Sequence, residues 1–356
     1  MGSMAFLLLL IIFLGAAAAT WIAGVQLTKH TDVIAERLHL DAALGGLILL
    51  AVATNLPELA ITISAAVSGD LSIAVGNILG GIALQTVVLV ILDVFGVKGN
   101  RSLTYRAASL SLVVEATAVI AVLGIVIAGT QMPQGLVIAR MTPAVVLIAV
   151  VWVVSLALVN RAGKNMPWHE NGSAPDAQLE PRGHSRTKRV AAATQAGTST
   201  VKSAVIFGIA ALATLIAGVL LEQSGSAMAD QIGLSGVLFG ATVLALATSL
   251  PEISTGLTAV RQGDYKLAIS DIFGDNAFLP VLFLVATLIS GKSVLPSAQS
   301  SDIYLTAIAI VLTLIYLLGI LFRPKRKILG MGADSVLVLI VYALSVVGLF
   351  AISAAD

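Results

Sequence analysis

The chain has 356 residues, of which 58% are hydrophobic and only 11% are charged, and its mean hydropathy is +1.01. Soluble domains do not have this composition, so the chain is expected to lie in a lipid bilayer. The net charge of +1 is uninformative by itself, and no nucleic-acid partner is expected. The absence of cysteine excludes disulfides, thiolate metal sites and a cysteine nucleophile.

Ten apolar runs are long enough to cross a membrane. A helix needs about 20 apolar residues to span a hydrocarbon core of about 30 Å. The first run is too long for the core of a signal peptide, so we expect it to be a retained span. The predicted spans are residues 4–25, 44–68, 71–92, 107–127, 141–159, 203–221, 232–260, 267–288, 303–322 and 335–355. The predicted fold class is therefore all-α and integral to the membrane, with ten transmembrane helices.

Basic residues are distributed unevenly among the connections. With the N-terminus outside, 18 of the 20 Lys and Arg lie in cytoplasmic connections, and Arg140 and Lys292 lie outside. This asymmetry predicts a multi-pass protein of the plasma membrane with both termini extracytoplasmic. Residues 161–200, rich in proline, glycine and charge, are predicted to be a cytoplasmic linker between two five-helix units, 4–160 and 201–356.

An eight-residue motif occurs twice, as AVATNLPE at 51–58 and as ALATSLPE at 245–252. Each copy places a glutamate, Glu58 or Glu252, in an apolar run, where an acid costs roughly 2.5–3.5 kcal/mol. A proline precedes each glutamate and lacks an N–H, so a helix carbonyl four residues earlier has no partner. Thr54 and Thr248 lie one helical turn before the two glutamates. Carboxylate, hydroxyl and carbonyl oxygens gathered in this way are typical ligands of hard cations.

The similarity between the halves continues beyond the motif. Gly69 and Gly263 follow the two glutamates at the same spacing, and so do Gly80 and Gly274. Because five spans separate the copies, the two helix hairpins cross the membrane in opposite directions. Inverted repeats with proline-interrupted helices are typical of secondary transporters that bind substrate near the midplane. We therefore predict two inverted five-helix repeats around a central site.

Further polar residues lie on the third, fourth and eighth predicted spans. Gln85 is on the third span, and Asp275 is well inside the eighth, where no Lys or Arg is available at the same depth. An unpaired acid at that depth indicates a site residue. Asp271 lies nearer the cytoplasmic end, where it either joins the site or meets water or Lys266. Glu115 is either a proton relay or the partner of a loop arginine.

These motifs resemble the calcium/cation antiporter superfamily, most closely the prokaryotic sodium/calcium exchangers. The family signature G/A-T-S-L-P-E matches residues 53–58, with Asn55 in place of Ser, and residues 247–252, with Ser249 retained. The resemblance implies ten helices whose repeat hairpins form a central cation site, with calcium held by Thr54, Glu58, Thr248 and Glu252. It also implies that the carbonyls of Ala51 and Ala245 contribute to flanking sodium sites. The candidate metal-binding residues are Thr54, Glu58, Thr248, Glu252, Asp275, Ala51, Ala245, Gln85, Ser249 and Asp271.

The chain departs from the family pattern on the third and eighth spans. Gly81 and Gln85 replace the usual Ser and the later Asn or Asp in the first half. In the second half Asp275 stands at the Ser position, and Leu279 stands where an acid is usual. Glu58, Glu252 and Asp275 would keep three carboxylates in the site, whereas the sodium positions are altered.

The leading functional hypothesis is a secondary antiporter that exchanges Ca²⁺ for Na⁺ by alternating access. The first alternative is proton coupling, because burial favours protonated carboxyl groups. Transport of a different divalent cation, Mg²⁺ or Mn²⁺, also fits the residues. The inverted broken helices argue against a channel, which would need a continuous pore. No enzyme motif such as H-E-x-x-H or G-x-S-x-G is present, so no catalytic activity and no cofactor are expected. The expected partners are the lipid bilayer and inorganic cations, with no obligate protein partner.

Overall fold

The computed structural model describes residues 2–37, 54–69, 71–162, 199–233, 240–261 and 263–353. Among these residues the fold is helical, with one small two-stranded hairpin. The helices are α1 Gly2–Arg37, α2 Leu56–Ser68, α3 Leu71–Gly96, α4 Leu103–Ala107, α5 Leu110–Thr130, α6 Pro143–Ala162, α7 Thr200–Ile232, α8 Ala245–Thr248, α9 Leu250–Arg261, α10 Tyr265–Phe278, α11 Leu282–Ser290, α12 Ser300–Phe322 and α13 Ala333–Ser353. A π-helical turn, Gly240–Leu244, precedes α8, and 3₁₀ turns occupy Leu279–Val281 and Leu295–Ser297. The hairpin consists of β1 Lys327–Ile328 and β2 Met331–Gly332.

Eight helical segments in the described part of the chain are long and apolar enough to cross a membrane. Thr242–Thr248 and Leu250–Arg261 meet at a bend of 55° and add a ninth if the pair is counted as one broken span. α2 is a shorter apolar helix, and the predicted second span, 44–68, is described only from residue 54 onward. The all-helical membrane fold predicted from composition is confirmed, and the count of ten spans stays a prediction.

Several predicted span boundaries are wrong where hydropathy ends before the helix does. The sixth span was placed at 203–221 and the seventh at 232–260, whereas α7 is one helix from Thr200 to Ile232. Glu222 and Gln223 interrupt the apolar run there, but both are good helix formers and do not stop the helix. The helix α1 also continues past residue 25 to Arg37 through the charged residue Lys29, but its apolar span, Phe6–Leu27, agrees with the predicted 4–25.

Two further predicted spans are interrupted inside. The eighth, 267–288, consists of α10, a 3₁₀ turn and α11, because Pro280 cannot donate a hydrogen bond to the carbonyl of Asn276. The fourth, 107–127, begins instead at Leu110. The extended backbone of Ser109 separates α4 from α5, and the Ser109 hydroxyl accepts a hydrogen bond from the Ser111 N–H at 3.3 Å.

α3 is the central helix of the bundle. It is apolar on every side, and it is buried along most of its length against α2, α9, α10, α12 and α13. α6 and α13 are mostly exposed and present large apolar side chains at the surface, as lipid-facing helices do. The polar side chains of Gln85 on α3, Glu252 on α9 and Asp275 on α10 are fully enclosed by protein.

The long helices α1 and α7 pack against each other in antiparallel directions. Phe13 of α1 shares an apolar cluster with Met228 near the end of α7, whereas Leu27 of α1 contacts the cluster that contains Phe207 near its start. His30, beyond the apolar part of α1, has a lowered pKa because of partial burial and the nearby charges of Lys29 and Lys202.

Short hairpin turns precede both α6 and α13. Ile138 and Met141 exchange backbone hydrogen bonds of 2.8 and 2.9 Å, and Ile328 pairs with Met331 in the same way in β1–β2. The two residues at each tip have positive φ: 50° and 59° at Ala139 and Arg140, and 53° and 86° at Leu329 and Gly330. The last helix described in each half is thus introduced by the same local structure.

Candidate cation site

Both copies of the repeated motif break a helix at the same position. Asn55 has φ −86° and ψ 17°, and Ser249 has φ −80° and ψ 6°. The proline that follows lies in the first turn of the next helix, where its missing N–H leaves no hydrogen bond unmade. Glu58 and Glu252 therefore lie in the first turns of α2 and α9, where the positive end of the helix dipole favours a negative charge.

Four carboxylates come together from the two halves of the chain. Glu252 interacts electrostatically with Glu58, Asp275 and Asp271, and Asp275 also interacts with Glu58. Glu58, Glu252 and Asp275 are at most 1% exposed. Every charged side chain that acts on Glu252 in the described part of the chain is acidic, so no Lys or Arg there offsets the repulsion on Glu252.

Most oxygens of this carboxylate cluster lack a hydrogen-bond partner in the described part of the chain. Both oxygens of Glu252, both of Asp275 and Oε2 of Glu58 are buried without one. The side chain of Thr248 in the other half lies beside Glu58, and the amide of Asn55 lies beside Asp275 without a hydrogen bond of ordinary geometry. Buried carboxylates in this state require cations or protons to neutralise them.

Asp271 is placed differently from the other three acids. Its Oδ2 accepts a hydrogen bond of 2.8 Å from the hydroxyl of Thr255 on α9, and the residue is 5% exposed. Asp271 is therefore at the edge of the cluster rather than in bulk water. Asp271 therefore adds negative charge to the cluster, while its Oδ2 is already hydrogen-bonded to Thr255.

The remaining candidate residues surround the cluster. Thr54 is fully buried at the break before α2, and Gln85 is fully buried with neither amide atom hydrogen-bonded in the described residues. The Ala245 carbonyl accepts hydrogen bonds from the Ser249 hydroxyl at 2.8 Å and the Thr248 hydroxyl at 3.2 Å. Ala51 lies outside the described residues.

These side chains do not form a finished metal cage. In the described residues no group of three or more His, Cys, Asp or Glu has the geometry to hold a metal ion. Hydroxyl, amide and backbone oxygens would have to complete the coordination of an ion placed among the carboxylates. Such a mixed oxygen set suits a cation that must also be released.

No loop arginine in the described part of the chain acts on Glu115. It is buried on α5 beside the side chain of Ser270 on α10, and the charged side chain that acts on it is Lys266. Its Oε2 has no hydrogen-bond partner among the described residues. Glu115 thus lies next to α10, one residue along from Asp271, but outside the four-carboxylate cluster.

Two glycines of the long helices α1 and α7 contact the prolines of the repeated motif, and the motif alone does not predict these contacts. A Cβ atom on Gly24 of α1 would lie 2.8 Å from Cβ of Pro251, and one on Gly218 of α7 would lie 2.8 Å from Cα of Pro57. The signal was present in the sequence: AT-W-IAGV at 19–25 recurs as AT-L-IAGV at 213–219, at the same offset as the glutamate motif. Each long helix therefore passes directly over the motif of the opposite half.

Known proteins share this architecture. The chain is 28% identical to the putative antiporter CaxA of Alkalimonas amylolytica over 88% of its own length and 92% of that protein's. Among solved structures, the sodium-calcium exchanger NCX_Mj superposes with a TM-score of 0.61 at 17% identity, covering 96% of this chain and 99% of that one. The H⁺/Ca²⁺ exchanger CAX superposes with a TM-score of 0.59 at 14% identity, covering 98% and 88%. The model of the sodium/calcium exchanger protein family matches residues 7–163 and 202–351. Since these matches cover most of the chain, it belongs to the sodium/calcium exchanger family of the calcium/cation antiporter superfamily, whose members are membrane transporters rather than enzymes.

Proposed function

We propose that this protein is a secondary antiporter that exchanges Ca²⁺ for Na⁺ at the four-carboxylate cluster. The observation that carries this proposal is the burial of Glu58, Glu252 and Asp275 together, from both halves of the chain, without a compensating Lys or Arg among the described residues. Fixed negative charge at the centre of a membrane protein marks an ion pathway.

The cluster gives a physical reason for coupled transport. Calcium prefers six to eight oxygen ligands that include carboxylates, and several monovalent cations can neutralise the same groups. A site emptied of both would have to carry unpaired carboxylates across the low-dielectric interior, which is strongly unfavourable. Exchange of one load for the other is then easier than return of the empty site.

We further propose ten helices arranged as two inverted five-helix repeats, 4–160 and 201–356, joined by the cytoplasmic linker 161–200. The antiparallel pairing of α1 and α7 supports this arrangement, as do the two glycine–proline contacts at equivalent positions. The fold shared with the sodium-calcium exchanger NCX_Mj adds support. Under this proposal α1 and α7 slide past the interrupted helices of the repeated motif and open the site to each side of the membrane in turn. Both termini lie on the extracytoplasmic side of the plasma membrane.

The residues divide by the ion that they would hold. Calcium would be bound by the carboxylates of Glu58, Glu252 and Asp275 and by oxygens of Thr54 and Thr248. Sodium would use the oxygens of Ala51, Ala245, Ser249, Gln85 and Asp271 in addition to the carboxylates. The Ala245 carbonyl becomes available to an ion only when the Ser249 hydroxyl turns away from it.

Proton coupling is the second candidate, and one feature of the site favours it. A Cβ atom on Gly81 would meet no other atom within 4 Å, so no side chain supplies the oxygen that the usual serine would place there. Leu279, at the usual position of an acid, is fully buried and apolar. With fewer sodium ligands, protons are the other means of neutralising the carboxylates, and the H⁺/Ca²⁺ exchanger CAX shares the fold.

Transport of ⁴⁵Ca²⁺ into proteoliposomes with separately imposed sodium and pH gradients distinguishes the two. We expect uptake driven by an outward sodium gradient at constant pH, and its loss in Glu252→Gln. Glu222→Gln is the matched control, because Glu222 is a half-buried carboxylate on α7 outside the cluster. Uptake driven by pH alone would replace sodium with protons as the counter-ion, and normal uptake by Glu252→Gln would remove the cluster from the transport path.

A further inference from the structure

A second pair of buried carboxylates lies at the end of α3, away from the central cluster. Asp93 accepts hydrogen bonds from the Leu103 N–H at 2.8 Å, the Gly332 N–H at 2.6 Å and the Ser335 hydroxyl at 2.8 Å. It thereby joins α3, α4 and the start of α13. The charge distribution predicts that this end of the bundle faces the cytoplasm.

Asp334, at the start of α13, is the second member of the pair. It is 6% exposed, and neither carboxylate oxygen has a hydrogen-bond partner in the described part of the chain. Its electrostatic neighbours include Asp93, and the Thr104 side chain and the Ser335 N–H lie beside its carboxylate without a hydrogen bond of ordinary geometry. A Cβ atom on Gly332 would overlap the Asp334 carboxylate and lie 3.3 Å from Oδ2 of Asp93, so the two acids flank the same glycine.

No Lys or Arg in the described ranges acts on the Asp334 carboxylate; the charged side chain that does is Asp93. Four basic residues of the adjacent segments instead donate to backbone carbonyls. The hydrogen bonds are Arg101 to Lys325 O at 3.1 Å, Arg106 to Lys98 O at 2.8 Å, Arg323 to Tyr105 O at 3.1 Å and Lys327 to Val97 O at 3.1 Å. Asp93 is stabilised by its three donors, whereas the buried carboxylate of Asp334 beside it has no counter-charge and is unfavourable unless a cation or a proton joins it.

The fold itself does not require an acid at position 334. The corresponding residue after the first hairpin is Ala144, which packs on Gly129 of α5 as Asp334 packs on Gly319 of α12. A small apolar side chain completes that contact in the first half. The carboxylate in the second half therefore adds a function that the helix packing does not need.

The atoms around the pair are the oxygen ligands of a hard cation. The Ser102 and Thr104 hydroxyls lie 3.2 Å apart beside the carboxylates, and the Ser335 hydroxyl lies within 3.3 Å of the Tyr316 hydroxyl. Carboxylates with several hydroxyl oxygens in an irregular arrangement suit Ca²⁺ better than Mg²⁺, which demands a regular octahedron. We propose that Asp93 and Asp334, with Thr104, form a second calcium site at the junction of α3, α4 and α13, separate from the transport cluster.

Occupation of this site would fix the β1–β2 hairpin and the start of α13 against the end of α3. The central helix α3, which contains the candidate site residue Gln85, would then be tied to a calcium ion supplied from the predicted cytoplasmic side. This proposal does not depend on which ion drives transport, because it concerns binding at different residues.

Equilibrium binding of ⁴⁵Ca²⁺ to the purified full chain tests the proposal, with Glu252→Gln used to disable the central cluster. We expect Glu252→Gln to retain one bound calcium. The double variant Glu252→Gln/Asp334→Asn is expected to lose it, with an affinity at least about tenfold lower, since removal of even a supporting residue costs that much. Asp334→Ala is a second variant that should fold, because alanine occupies the equivalent position in the first half.

Asp302→Asn is the matched control, because Asp302 is a buried acid at the opposite end of α12 and must leave the second calcium in place. The proposal is overturned if Glu252→Gln alone binds no calcium, or if Asp334→Asn and Asp334→Ala both retain the ion in that background. Failure of the transport proposal would be seen elsewhere, as ⁴⁵Ca²⁺ uptake that does not respond to Glu252→Gln.

Discussion

Replacement of Gly24 by alanine is expected to weaken the contact between α1 and the motif of the opposite half. The new Cβ atom would lie 2.8 Å from Cβ and 3.0 Å from Cα of Pro251. Carbon atoms in ordinary contact are about 3.5–4.0 Å apart, so α1 must move away by roughly 1 Å. Overpacking of this kind costs about 1–3 kcal/mol, while the better helix propensity of alanine returns up to about 1 kcal/mol.

The same helices contain matched controls. A Cβ atom on Gly15 of α1 or Gly208 of α7 would meet nothing within 4 Å, so alanine there changes helix propensity alone. We expect Gly24→Ala and Gly218→Ala to unfold at lower temperature than Gly15→Ala and Gly208→Ala, measured for each purified variant in detergent. The two harmful changes should also reduce ⁴⁵Ca²⁺ uptake. The reasoning is refuted if Gly24→Ala is as stable and as active as Gly15→Ala.

Three further predictions concern the carboxylates. Asp275→Ser should weaken calcium binding more than Asp271→Asn, because neither carboxylate oxygen of Asp275 has a hydrogen-bond partner among the described residues, whereas Asp271 accepts a hydrogen bond from Thr255. Equal losses of affinity in a ⁴⁵Ca²⁺ titration would contradict this. Adding Leu279→Asp to Asp275→Ser restores the family's usual pattern, so calcium binding should recover, and a double variant no better than Asp275→Ser would show that the acid has not simply moved by one turn. The Asp302 carboxylate accepts a 2.8 Å hydrogen bond from the Gln299 N–H and so caps α12. Asp302→Ala removes this cap and should lower the free energy of unfolding by about 1 kcal/mol while transport persists. An unchanged unfolding temperature would contradict the capping role.

Much of this protein can be predicted from the sequence because the bilayer restricts what a chain can do. Apolar length alone predicts helices across the membrane, since no other open structure satisfies its backbone there. Glu58 and Glu252 stand out because acids are costly at that depth, and the adjoining prolines predict the breaks seen at Asn55 and Ser249. Hydropathy does not predict where helices end, because a helix can continue beyond the membrane through charged residues such as Lys29.

The sequence by itself determined the membrane-spanning class, the repeated motif and the acids worth suspecting, because these depend on local composition and on the cost of charge in lipid. Only the tertiary structure decided which acids meet. Spacing along the chain gives no distance between helices, so the approach of Asp275 to Glu58, the hydrogen bond between Asp271 and Thr255, and the pairing of Asp93 with Asp334 follow from how the helices pack.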